Sequence, residues 1–94
     1  MTPLMGKKEV ICKVSEKVGT LWKRLARQLE LGGGGVETIS VEENEDEERC
    51  YNALERWCQK NGEKATIRKL MITLTKAGLA EVNYDVMRCL GLLS

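Results

Sequence analysis

The run Gly32, Gly33, Gly34 and Gly35, within LELGGGGVETIS, and the cysteines Cys12, Cys50, Cys58 and Cys89 are the residues whose type and spacing invite chemistry. A glycine-rich loop can cradle phosphate through its backbone N–H groups, but a P-loop needs a buried strand before it and Gly-Lys-Ser/Thr at its end. GGGGVET instead closes on an acid, which repels phosphate. The cysteines show no CxxC pair and the chain has no histidine. A structural zinc site takes four S or N ligands, usually in close-set pairs. No metal and no cofactor is expected. Three of the thiols sit among apolar residues at helical spacing, so the cysteines read as buried and reduced.

Catalysis finds no foothold. Without histidine there is no Ser-His-Asp or Cys-His arrangement to activate a nucleophile. Paired carboxylates occur only in the acidic stretch around ENEDEE, on an exposed turn without the apolar cover that raises a carboxylate pKa. The expectation is a chain that is not an enzyme and takes no small-molecule substrate.

The elements around these residues are helical. Val10, Ile11, Val14 and Val18 share one face, and Leu21, Trp22, Leu25, Ala26 and Leu29 repeat the pattern after a break at Gly19-Thr20, where Thr20 is placed as N-cap. Val36 and Ile39 suit two helical turns. The acids of ENEDEE then start a helix at its positive end, with Cys50, Ala53, Leu54, Trp57 and Cys58 as its apolar stripe and Asn61-Gly62 as its C-cap. Ala65 or Thr66 opens the next helix, where Ile67, Leu70, Met71 and Leu74 point inward until Ala77-Gly78. Val82, Val86, Met87 and Leu90 supply the last. No strand alternation persists. The spacing predicts an all-α, six-helix antiparallel bundle with short loops.

Ninety-four residues, 43% apolar and 31% charged, fit one soluble domain. No apolar run approaches the roughly 18 residues of a membrane span, and MTPLMGKKEV lacks a signal-peptide core. A cytoplasmic location and no membrane insertion follow as expectations. The net charge of +1 conceals blocks. From Lys7 to Leu29, Lys7, Lys8, Lys13, Lys17, Lys23, Arg24 and Arg27 outnumber Glu9 and Glu16; from Glu30 to Glu48 every charge is acidic; from Arg49 to Lys76 the balance is basic again. A near-neutral chain with separated blocks attracts copies of itself or its relatives through unlike faces. The acidic block also argues against a nucleic-acid partner, because it repels a polyanion.

The stretch VGTLWKRLARQLEL resembles the second-helix signature of death domains, and CYNALERWCQKNGEKATIRKLMITLTKAGLAEV resembles their fourth and fifth helices. The resemblance runs from about Lys8 to Leu90. It implies a six-helix Greek-key bundle, spanning residues 8–91 between an N-terminal extension (1–7, expected to be disordered) and a tail (92–94). It also implies a non-catalytic adaptor that assembles apoptotic or inflammatory signalling complexes, with other death-domain proteins (receptor tails, adaptors or kinases) and itself as partners. The rival reading is a structural death-like domain docking within a larger scaffold without oligomerising. Trp22, Leu25, Leu29, Ile39, Leu54, Trp57, Leu70 and Leu74 are then core. The positions matching the family's charged contact patches are Lys23, Arg24 and Arg27 on the second helix, Glu43, Glu45, Asp46, Glu47 and Glu48 at the third-to-fourth turn, and Lys60, Asn61, Glu63 and Lys64 at the fourth-to-fifth turn.

The four glycines fall where such a bundle turns from its second helix into its third. As a linker between domains they fail, since the thirty-one residues before them cannot bury a core alone. Glycine is costly in helical backbone, so the third helix is expected to start at Val36 or later, with Gly34 or Gly35 as N-cap, and to be short or frayed.

Overall fold

The computed structural model describes residues 3, 4, 6–32 and 34–92. Among these described residues, six α-helices carry the fold: α1 Lys8–Val18, α2 Trp22–Gln28, α3 Gly35–Glu42, α4 Asp46–Asn61, α5 Ile67–Lys76 and α6 Val82–Cys89. The long α4 lies against α1, α2 and α3, while α1 also packs on α6, and α5 on α2 and α6. All eight predicted core residues are buried, among Val10, Ile11, Val14, Cys50, Ala53, Val82 and Val86. Each helix buries most of the stripe its periodicity marks out, with Val36, Met71, Met87 and Leu90 only half-buried, so removal of these faces from water is the main favourable term in folding.

Helix ends follow local chemistry. Gly19 and Gly62 terminate α1 and α4 with positive φ, and the Thr66 hydroxyl caps α5 by accepting from the Lys69 N–H at 3.2 Å. Thr20 does not cap α2. Gly19 breaks α1, but the chain continues through a 3-10 turn, Gly19–Leu21, so that α2 begins at Trp22 without a side-chain cap. Leu21 is thereby carried off the α2 stripe and is exposed.

The third helix starts one residue earlier than expected, at Gly35, and is eight residues long. Gly34 is its N-cap, in left-handed backbone at φ 81. Its carbonyl accepts both the N–H of Thr38 at 2.9 Å and the Thr38 hydroxyl at 2.8 Å. The Gly35 N–H donates to the Gly32 carbonyl at 3.3 Å, which tightens the turn. Among its residues only Ile39 is buried, and Val41 is left exposed.

Two further expectations are corrected. The segment before α1 is not a loose extension where it is described. Leu4 is completely buried, its N–H donates to the Ala65 carbonyl, and Pro3 pairs with Thr66. A branched apolar side chain that reaches the core earns its ordering cost through burial. Residues 1, 2 and 5 of that segment, Gly33, and residues 93 and 94 of the tail lie outside the described ones. The thiols also divide: all four are free, but Cys12 is exposed, off the buried stripe of α1, and Cys89 is half-buried, packed against the core at the last residue of α6.

Candidate partner-binding surfaces

Because Trp22, Leu25, Ala26 and Leu29 take the inner side of α2, Lys23, Arg24 and Arg27 are left outside, all exposed. The structure splits them. Lys23 and Arg27 line an open groove between α2 and α3 whose other walls include Glu30, Leu31, Gly34 and Glu37. The guanidinium of Arg24 lies instead over the α5–α6 turn, where Nη2 is 2.7 Å from the point a Cβ on Gly78 would occupy. Among the described residues none of the three side chains makes an ion pair or hydrogen bond within the chain, so their charge is uncompensated there.

The acidic positions divide between scaffold and surface. Arg49, half-buried in the first turns of α4, reaches back over the α3–α4 turn. Its Nε donates to the Glu43 carbonyl at 2.9 Å, Nη1 to Asp46 Oδ1 at 3.0 Å and Nη2 to the Ser40 carbonyl at 3.3 Å. The Glu43 carboxylate accepts from Asn52 Nδ2 at 3.0 Å, and Glu42 pairs with Arg56 at 2.6 Å. Glu43 and Asp46 therefore serve the turn itself, while Glu45, Glu47 and Glu48 stand exposed without an ion pair among the described residues. Asp46, Glu47 and Glu48 occupy the first turn of α4, where the helix dipole favours negative charge.

At the α4–α5 turn, Lys60 Nζ donates to the Glu30 carbonyl at 2.9 Å, and Asn61 Nδ2 to the Trp57 carbonyl at 2.9 Å. Both are thus tied to the ends of helices, whereas Glu63 and Lys64 lie exposed on the 3-10 turn Gly62–Lys64. The twelve predicted positions form three separate charged areas rather than one site.

Sequence reasoning missed two features. Arg49, the organiser of the acidic turn, was counted only as the first charge of a basic block; its partners are mainly carbonyl oxygens, which leave no trace in residue types. Ile72 on α5 is 47% exposed. The available signal was its place off the Ile67, Leu70 and Leu74 stripe, between Lys69 and Lys76.

These areas are shallow, charged and set on a helical core. No described helix is long and apolar enough to cross a membrane. No match was found among curated proteins or among solved structures. The sequence profile of the Death domain family matches residues 8–86, from the first residue of α1 into α6. Over that span the all-helical bundle, its two buried tryptophans and the family profile agree: the chain belongs to the death-domain family, whose members are non-catalytic signalling modules that bind other death-domain proteins.

Proposed function

We propose that this chain is a cytoplasmic adaptor module that assembles apoptotic or inflammatory signalling complexes through charged, asymmetric contacts with other death domains. The observation that carries this reading is the segregation of uncompensated charge. Lys23, Arg24 and Arg27 are exposed cations on α2, and Glu45, Glu47 and Glu48 are exposed anions at the α3–α4 turn. A basic patch on one domain meeting an acidic patch on another is a heterologous contact, which adds further copies where the rotation does not close. Each interface of this kind is small and individually weak, and several engaged together add avidity.

Binding of this chain to a panel of purified death domains, at low and high salt, tests the reading. Rim charges are screened over about 8 Å at physiological ionic strength, so binding should weaken as salt rises. Lys23→Glu/Arg27→Glu is expected to weaken it at least about tenfold, which is roughly 1.4 kcal/mol. A chain that binds no death domain and stays monomeric at every concentration supports the scaffold-docking role instead.

A further inference from the structure

The outer side of α5 carries a surface that the charged patches on α2 and the α3–α4 turn do not use. With Ile67, Leu70 and Leu74 buried, Lys69, Ile72 and Lys76 stand outside at i, i+3 and i+7. They line an open groove completed by Gln28–Glu30 at the end of α2 and by Trp57, Lys60 and Asn61 at the end of α4. Lys60, Lys69 and Lys76 against Glu30 leave this groove two positive charges in excess. Lys69 and Lys76 have no ion-pair partner among the described residues. The exposed Ile72 gives the cationic surface an apolar centre.

A second groove, on the outer side of α4, has the opposite character. Glu43, Glu48 and Glu55 against Arg56 leave it two negative charges in excess, and the half-buried Tyr51 lies among them. Arg56 is already neutralised by Glu42 and Glu43 is held by Asn52, so Glu48 and Glu55 present the free charge. At about 100° per residue, Glu48, Tyr51 and Glu55 lie on the side of α4 opposite to Trp57, Lys60 and Asn61. The two grooves of one chain therefore face away from each other, and only another molecule can bring them together.

We infer that this molecule is a second copy of the chain: the α5 ridge of one copy seats in the α4 groove of the next, with Lys69 and Lys76 answering Glu48 and Glu55 around Ile72 and Tyr51. The inference rests on the reading of the chain as an assembling module and adds a self-contact separate from the α2 patch. Equal and opposite excess charge around an apolar centre fits an interface with an apolar core and a charged rim. The contact is heterologous, so each copy keeps one groove free for the next.

The test is molecular mass by light scattering across a concentration series in low salt, for the wild type and three variants. Lys69→Glu/Lys76→Glu and Glu48→Lys/Glu55→Lys are each expected to lose self-association, and an equimolar mixture of the two to regain it, since each then offers the other a complementary groove. Lys23→Glu/Arg27→Glu is expected to keep self-association while losing other death domains. Helical circular dichroism verifies folding, with Glu55→Lys alone replacing the acidic double variant if that variant unfolds. Undiminished association of Lys69→Glu/Lys76→Glu, no recovery on mixing, or a wild type that is monomeric throughout overturns the inference. If the α5 variant is silent and the α2 variant abolishes self-association, the α5 contact falls and the α2 reading stands. If the wild type binds neither itself nor any death domain, both fall.

Discussion

The guanidinium of Arg49 donates from Nε to the carbonyl oxygen of Glu43 at 2.9 Å, and from its other nitrogens to Asp46 and to the Ser40 carbonyl. One cation directly after the acidic stretch thereby holds the end of α3 to the start of α4. The exposed Glu45, Glu47 and Glu48 are presented on a turn fixed by a residue of opposite sign.

Loss of that clasp should be felt in stability and in partner binding together. Arg49→Ala is expected to cost about 1–3 kcal/mol, the range for hydrogen bonds from a charged group and the acceptors left behind. Arg49→Lys should recover little of this, because an ammonium cannot reproduce the planar three-point geometry. Urea denaturation of both variants decides it. Full rescue by lysine would show that charge alone holds the turn.

A second expectation concerns Leu4, which is fully buried although the family match begins only at residue 8. Leu4→Ala leaves its backbone bond to Ala65 intact and removes only the buried side chain. The expected loss is about 2–4 kcal/mol, within the range for leucine in a packed core. For a domain of this size that lowers Tm by roughly 10–20 °C. A shift of under about 2 °C would mean that the arm contributes no core packing.

The helices and their inner faces were legible in the sequence because burial on a helix repeats every three to four residues. Trp22, Leu25, Leu54, Trp57, Leu70 and Leu74 could be placed by counting alone. Leu4 could not, since an isolated leucine after a proline has no period to join, and only in the fold does its backbone meet the α4–α5 turn. The charged areas were legible as blocks but not as geometry. Nothing in the residue order says that Arg24 turns toward Gly78 while Lys23 and Arg27 turn toward Glu30 and Glu37. Asp46 and Glu48 read alike in sequence, yet a carboxylate bound by Arg49 and a free one differ in what they offer a partner.

The glycine turn yields two substitutions of opposite sign. Gly34 adopts φ 81 with open space where a Cβ would project, so alanine there meets backbone strain alone, costing about 1–2 kcal/mol. Gly35 is the first residue of α3, and a Cβ there lies 3.1 Å from the Cβ of Leu31. Alanine restricts the unfolded chain and favours the helix, and Leu31, half-buried in a loop, must give by a few tenths of an ångström. Gly35→Ala is expected to stabilise by up to about 0.5 kcal/mol. Denaturation midpoints that move in the same direction for both would disprove this account of the turn.

The buried thiol of Cys50 gives stability a dependence on alkaline pH. Burial pushes it from its ordinary 9.0 up to about 12, with the Ser15 side chain acting in the opposite sense. Cys58 is shifted the same way, by burial first and then by the charge of Glu55. Once pH exceeds about 9, the unfolded chain gives up the Cys50 proton while the folded chain retains it. The native state then binds the extra proton, and stability falls as pH rises, by up to about 1.4 kcal/mol per pH unit from this one group. Below that window the group contributes no slope. The informative quantity is the difference between wild type and Cys50→Ala. At about pH 8 the alanine variant should be the less stable, through the space it leaves. By about pH 11 the gap should have closed by about 2–3 kcal/mol, because only the wild type has a thiol to ionise on unfolding. Urea midpoints at the two pH values measure it, and a gap that does not change would show that Cys50 ionises as readily in the folded chain as in the unfolded one.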